Sequence, residues 1–376
     1  MNVLMMPTWY FEENNPFAGI FTTEQSIYLK KYCNVAIYYP FDTIMDEKFS
    51  NRYEKQILTY RGKWKKSKIP KITKIINLVR IIKEFRYIKK KFKPDIIHAH
   101  VANGAGFYAV ILGKLFKIPV IITEHSPSNL IISGRLSYYI VKYAYKNSKY
   151  NVCVSKHLMN ELNRIYPYIK FDVIYNPIRI PKNLDNSILN NKQLGYINIS
   201  FVSVFYDKYI KGMQYLLPAI KELKEKGYKI LLHIVGDGKF QKYYIEKSKE
   251  LNISDFCKFY GYCSKKQVFN IVNMSDFMVS SSLTETFGCA IAEALMIGKP
   301  VVITNSGGPE DFVNDKVGII VKKESKEELV KGIEQMIRYL NDYDSSYISK
   351  YSKQKFEMDA ITRKYMDIYE HYKLNN

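Results

Sequence analysis

Short runs of aliphatic and β-branched residues recur at residues 3–6, 35–39, 95–100, 120–123, 151–154 and 172–175, and again at 199–204, 230–235, 258–260, 277–280, 301–304 and 318–321. Between them lie longer stretches whose apolar positions repeat at helical spacing. This alternation predicts parallel α/β layers rather than an all-β or all-helical fold. The prolines and asparagines between Tyr175 and Gln193 break the periodicity. Two doubly wound, Rossmann-like sheets are therefore expected, one in residues 1–180 and one in 190–352. A Tyr-, Met- and Ile-rich helix is expected over 353–376, packing across the joint. The length of 376 residues agrees, since single cores stop growing beyond roughly 250–300 residues and two domains of roughly 150–200 residues each result.

Composition narrows the class. With 47% apolar and 25% charged residues the chain reads as folded and soluble. No stretch approaches the ~18 apolar residues of a spanning helix, and the first residues lack a basic leader with a cleavage site. The cytoplasm is the expected compartment. Five scattered cysteines, with no Cys-x-x-Cys pair, argue against a disulfide framework or structural zinc.

The net charge of +21 is concentrated: residues 61–93 carry fourteen Lys or Arg against one Glu. Within them Ile72, Ile75, Ile76, Val79, Ile82, Phe85 and Ile88 recur at helical spacing beside a basic flank. Two readings stand side by side: a helix lying on the anionic inner face of a membrane, or a core-packing helix with a solvated basic side. Nucleic acid is not expected, because no recognised motif accompanies the charge.

Candidate chemistry lies at strand-to-helix turns, where open α/β sheets hold ligands. Glu285 follows the strand ending near Ser280, and Thr286, Phe287 and Gly288 are expected to open a helix whose N-terminus suits a phosphate. Glu293, eight residues on, would stand roughly 12 Å away along that helix. Two carboxylates gripping hydroxyls, with the helix start between them, suit the sugar, diphosphate and ribose of a nucleotide sugar. A cation must offset the diphosphate, and Lys211, just after the strand ending near Val204, is placed to supply it. The spacing alone is equally compatible with Glu285 as a helix cap and Glu293 as a surface residue. His98 and His100 share one face of a strand, but with no third ligand no metal is expected. Asp342 and Asp344 lie in a polar linker and are not expected to bind one either.

The order Gly236-Asp-Gly238, Gly261-Tyr262, Glu285-x7-Glu293 with Phe287-Gly288, Gly298-Lys-Pro300 and Gly307-Gly-Pro-Glu310 resembles the donor-binding half of the retaining glycosyltransferases of family four, which have the GT-B fold. Trp9-Tyr10 with Pro16, Gly19 and Phe21, then residues 95–100 and Thr123-Glu-His125, are similar to its first half. The resemblance implies two Rossmann-like domains facing a cleft and no cofactor or metal. It assigns Glu285 to the transferring sugar, Glu293 to the ribose, Lys211 to the diphosphate, and the amides of Thr286, Phe287 and Gly288 to sugar and phosphate. Tyr262 would lie at the base, Gly19 in the loop near donor phosphate and acceptor, and His100 on the acceptor side, with His125 open between acceptor contact and structure. The family commonly carries an arginine several residues before the lysine. Here Phe205 and Tyr206 occupy that stretch, leaving either Lys208 as the second charge or Lys211 and the helix end alone.

The resulting expectation is a metal-independent retaining glycosyltransferase. It would move a sugar from a nucleotide-diphosphate donor to a glycan or polyprenyl-linked acceptor in cell-surface polysaccharide synthesis. A nucleotide-sugar epimerase of similar twin-domain fold and a non-catalytic basic binding protein are the alternatives. The first would release product without an acceptor, and the second would not turn donor over.

Overall fold

The computed structural model describes residues 1–11, 18–126, 134–182, 184 and 193–374. Pro16 and most of the polar stretch before Gln193 lie outside them. The chain forms two compact units, Met1–Pro177 with Met358–Asn376, and Ile178–Glu357.

In the first unit the strands are β1 (Asn2–Pro7), β2 (Asn34–Asp42), β3 (Phe49–Glu54), β4 (Ile57–Lys63), β5 (Ile96–His100), β6 (Val120–Glu124), β7 (Tyr150–Cys153) and β8 (Asp172–Val173). They form one sheet in the order β3-β4-β2-β1-β5-β6-β7-β8. Only β3 runs antiparallel to its neighbour. Helices α1 (Ile20–Leu29), α2 (Pro70–Phe92), α3 (Phe107–Phe116), α4 (Arg135–Asn147) and α5 (Lys156–Ile165) connect the strands. The central strands are buried on both faces, as helix-covered parallel sheets require: β1, β5 and β6 bury nearly every residue.

The hairpin of β3 and β4 was not expected, because its residues 49–63 mix charged and aromatic side chains without a clean alternation. It corrects the reading of residues 61–93 as one basic helical segment. Arg61 lies in β4, buried between Asp42 at 2.7 Å and Glu54 at 2.9 Å. Arg80, in α2, is buried against Glu84 at 2.6 Å and also donates to the Pro40 carbonyl at 2.7 Å. Two of the fourteen basic residues thus serve the interior.

The second unit has strands β9 (Ile197–Val202), β10 (Ile230–Val235), β11 (Cys257–Gly261), β12 (Phe277–Ser280), β13 (Val301–Thr304) and β14 (Gly318–Val321). They form a parallel sheet ordered β11-β10-β9-β12-β13-β14. Its helices are α6 (Met213–Glu225), α7 (Gln241–Glu250), α8 (Lys265–Met274), α9 (Cys289–Met296), α10 (Lys326–Arg338) and α11 (Ser345–Phe356). Leu216, Ile220 and Leu223 of α6 and Leu329, Ile333 and Met336 of α10 are buried in one core with Ile199, Leu232 and Val302.

The helix expected over 353–376 is two helices. α11 ends at Phe356, which packs on Phe287 and Phe312 of the second unit. The last helix, α12 (Met358–Leu374), buries Ile361, Tyr365 and Tyr369 in the first unit's core. Within the second unit, Ile178 N–H donates to the Phe356 carbonyl at 2.8 Å. Asp344 accepts from the amides of Ser346 and Tyr347 and caps α11.

Arg80→Met leaves the Glu84 carboxylate buried without its guanidinium partner. Such breaks cost about 3–5 kcal/mol, so the urea midpoint for unfolding of the first unit is expected to fall by a corresponding margin. An unchanged midpoint would show that the pair is not needed.

Candidate functional site

Within the second unit the strand order reverses between β9 and β12, the edge where α/β sheets open a crevice beyond their carboxyl ends. The turn after β9 carries Asp207 to Gly212, and the turn after β12 carries Ser281 to Gly288. They are stitched together: Leu283 N–H donates to the Ile210 carbonyl at 2.8 Å, and the Ser281 hydroxyl to the Lys211 carbonyl at 2.9 Å. Gly212 has φ of 69°, and a Cβ there would lie 1.7 Å from the Ser281 carbonyl oxygen. Only glycine allows the turns to approach so closely.

Here Lys211 Nζ donates to Glu285 Oε1 at 2.7 Å, and both side chains are about four-fifths buried. Ser282 Oγ donates to the same oxygen at 2.7 Å. Glu285 is also held by its backbone. Its N–H donates to the Ser306 carbonyl and its carbonyl accepts from Gly308 N–H, both at 2.8 Å. Glu285 therefore lies in an extended bridge to Gly307, not at a helix start.

That geometry corrects the expected helix. α9 begins only at Cys289, with Gly288 as its N-cap in the left-handed region and no side-chain cap. Thr286 and Phe287 precede the helix, and the Phe287 ring is buried against Phe312 at 5.3 Å and Phe356 at 5.5 Å. The 12 Å helical span between Glu285 and Glu293 does not apply, since only the stretch from Cys289 to Glu293 is helical. Glu293 lies one turn into α9, with Lys265 Nζ 3.7 Å from its carboxylate. Tyr262, directly after β11, is largely exposed.

Phe205, in the stretch where the family commonly carries an arginine, is a core residue packed on Phe201 and Tyr244. Lys208 stands over the Tyr243 ring, 4.0 Å from its centroid. Ser282 and Lys265 were missed. Ser282 belongs to a serine triplet ending a strand, a signal that could have found it. Lysine at a helix start is too common to have singled out Lys265.

In the first unit the strand order reverses between β1 and β5. Gly19 stands at the start of α1 with φ of 63°, where a Cβ would lie 2.2 Å from the Trp9 carbonyl oxygen. Thr8 Oγ1 donates to the His100 carbonyl at 3.0 Å and accepts from Ala105 N–H at 3.0 Å. The next residue, Val101, is buried with φ of 76°, a conformation that β-branched residues adopt only when the surroundings impose it.

His98, His100 and His125 form a stack in which the first two are buried and the third half-buried. His98 and His100 centroids are 4.5 Å apart, His100 Nδ1 and His125 Nε2 are 2.9 Å apart, and Phe21 stacks on His125 at 4.0 Å. His98 is hydrogen-bonded with Tyr369 of α12 at 2.6 Å and with Thr123 at 2.7 Å. His100 Nε2 and His125 Nδ1 have no hydrogen-bond partner among the described residues. Burial takes His100 down to about 3. Burial, with the neighbouring imidazoles, also holds His98 and His125 well below the ordinary value. Beside them Glu124 is fully buried, accepting from the amides of Ala102, His125 and Ser126 and the Tyr145 hydroxyl. Burial raises its carboxyl against the pull of those donors.

The residues match two known families: 34–180 match Glycosyltransferase Family 4 and 190–355 match Glycosyl transferases group 1. An uncharacterised glycosyltransferase of Methanocaldococcus jannaschii is 26% identical over 367 residues, covering 94% of this chain and 95% of that protein. The sucrose-phosphate synthase of Thermosynechococcus elongatus superposes with a TM-score of 0.80 at 15% identity, covering 100% of both chains. HepE of Anabaena, solved in complex with UDP-glucose, superposes with a TM-score of 0.76 at 16% identity, covering 99% of this chain and 100% of its own. The structural likenesses are of fold: two parallel-sheet α/β domains of the GT-B type.

Native His100 stays neutral down to about pH 3, whereas an unfolded histidine takes up a proton below about 6.5. Between those values the unfolded state binds more protons, so stability falls as pH falls, by roughly 1.4 kcal/mol per pH unit for each such histidine. Urea midpoints at about pH 7.5 and 5.5 should therefore differ, and His100→Gln should shrink the difference by about that amount. An identical difference in the variant would contradict burial of the neutral ring.

Proposed function

The chain belongs to the family 4 glycosyltransferases, with a group 1 second half, and from that premise we propose that it moves a sugar from a nucleoside-diphosphate sugar to a hydroxyl with retention at the anomeric carbon. The acceptor is a glycan or a polyprenyl-linked saccharide of a cell-surface polysaccharide, used at the inner face of a membrane. The observation that carries the reading is the Lys211–Glu285 pair at the β9/β12 edge, 2.7 Å apart, with Glu285 four residues before the start of α9, which has no side-chain cap.

Departure of the nucleoside diphosphate builds negative charge on its outer phosphate. Lys211 and the N-terminal amides of α9 supply positive potential there without requiring a divalent metal. Glu285 accepts hydrogen bonds from sugar hydroxyls, and its carboxylate is oriented by Ser282 and the backbone bridge to Gly307. Glu293 serves the ribose and Tyr262 the base, with Gly19 near phosphate and His100 on the acceptor side. The attacking hydroxyl approaches the face that the diphosphate leaves. Its oxygen bonds to the anomeric carbon as the carbon–phosphate oxygen bond breaks, and its proton passes to the departing phosphate oxygen.

UDP-glucose, the ligand of HepE, is the first donor to test, followed by other nucleotide sugars ranked by thermal shift. With the best donor and membrane-extracted acceptor, Lys211→Ala and Glu285→Gln should each lower kcat by about 10²–10³-fold, the scale for losing one pre-organised charge partner. The product's anomeric configuration, read by NMR, should match the donor's, and turnover should survive EDTA. Near-normal turnover in both variants would sink the assignment.

A further inference from the structure

Three helices, α2, α3 and α4, lie side by side on the first unit's sheet: Phe85 of α2 meets Phe116 of α3 at 5.0 Å, and Phe107 of α3 meets Tyr143 of α4 at 6.0 Å. The apolar stripe of α2 does not stay on one side of the helix. Steps of three residues fall about 60° short of a turn, at 100° per residue. A stripe running from Ile72 through Val79 to Ile88 therefore winds around it. Its last members, Phe85 and Ile88, are buried on the sheet with Ile81 beside them. Its first half points outward: Ile75 and Val79 remain 62% and 58% exposed, with Ile72 and Ile76 beside them. The outward face becomes basic in the next turns at Lys83, Arg86 and Lys90, all exposed.

The charge on this layer has one sign. The sequences of α2, α3 and α4 contain a single acid, Glu84, and it is buried against Arg80. The three helices therefore present no exposed carboxylate among the described residues, while Lys114 and Lys142 extend the basic field beyond α2. Leu136 and Tyr139 are exposed on the same side chain layer in α4. The opposite layer is mixed in sign, since α12 carries Asp359, Asp367 and Glu370.

We infer that the outward face of α2, α3 and α4 docks on an anionic lipid bilayer, with Ile72, Ile75, Ile76 and Val79 entering the headgroup boundary and the lysines beside them on the lipid phosphates. Aliphatic side chains lined up in water gain by entering the acyl region, and each nearby Lys or Arg adds attraction to an anionic leaflet. A nucleic acid would use the charge but not the four aliphatics. A second copy of the face would bring like charges together. No helix among the described residues is long and apolar enough to cross a membrane, so the contact is peripheral. The inference deepens the proposed reading by naming the surface that meets the membrane, and rests on that reading only for its purpose.

The full chain, mixed with vesicles of phosphatidylcholine alone or with about 30% phosphatidylglycerol at about 0.1 M salt, is floated through a density step. It should partition at least about tenfold more strongly onto the anionic vesicles and be released at about 0.5 M salt. Ile75→Ser with Val79→Ser, and separately Lys83→Glu with Lys90→Glu, should each weaken partition about tenfold while the Tm stays that of the parent. Equal partition onto both vesicles, no flotation, or parental flotation of the serine variant overturns the inference. Binding to tRNA in preference to vesicles overturns it in favour of nucleic acid. Flotation involves no donor, so a chain that floats without transferring sugar fails only the proposed function, and one that transfers sugar without floating fails only this inference.

Discussion

The candidate chemistry depends on one topological constraint, imposed once in each unit. A first strand lies at the centre of a parallel sheet, and its two neighbours are reached by crossovers that leave in opposite directions. At that edge the turns bond to one another to satisfy their backbone groups. In the second unit they do so through the Leu283–Ile210 and Ser281–Lys211 hydrogen bonds, which set Lys211 against Glu285. In the first they do so through Thr8, whose hydroxyl bridges β5 to the turn after it and fixes the backbone beside His100. The strained Val101 is the cost of that turn. The final helix contributes as well, since Tyr369 and Tyr365 anchor the His98–Thr123 pair behind His100.

The parallel cores were legible because a strand covered on both faces must be nearly continuous in aliphatic residues, as residues 120–123, 230–235 and 301–304 are. The edge hairpin was not, because β3 fully buries only Glu54 and β4 carries a buried Arg61 whose partners, Asp42 and Glu54, come from other strands. Glu285 and Lys211 were legible as a pair from fold logic, although they are 74 residues apart. Their mutual contact was not, since nothing local encodes it. The start of α9 was misplaced because Thr286 and Phe287 suit a helix as well as a bridge, and only the Ser306–Gly308 segment decides between them. The stripe of α2 misled for a geometric reason. Repeats of three, unlike mixed threes and fours, do not hold one face.

The Lys211–Glu285 pair is not there mainly for stability. A partly solvated ion pair is worth little to the fold, yet this one is positioned by a glycine contact, a serine hydroxyl and two backbone hydrogen bonds. That much local structure is justified if the two groups have separate duties once a ligand enters. On the proposed reading a diphosphate, with more charge than a carboxylate, competes for Lys211 and leaves Glu285 to accept sugar hydroxyls. The demand on Lys211 is then high, because Phe205 is committed to the core and Lys208 stands over the Tyr243 ring. The remaining positive potential comes from the start of α9, which has no side-chain cap. A capping side chain there would occupy the very amides that an anion needs, so the glycine at position 288 and the lysine at position 211 answer one electrostatic requirement from two sides.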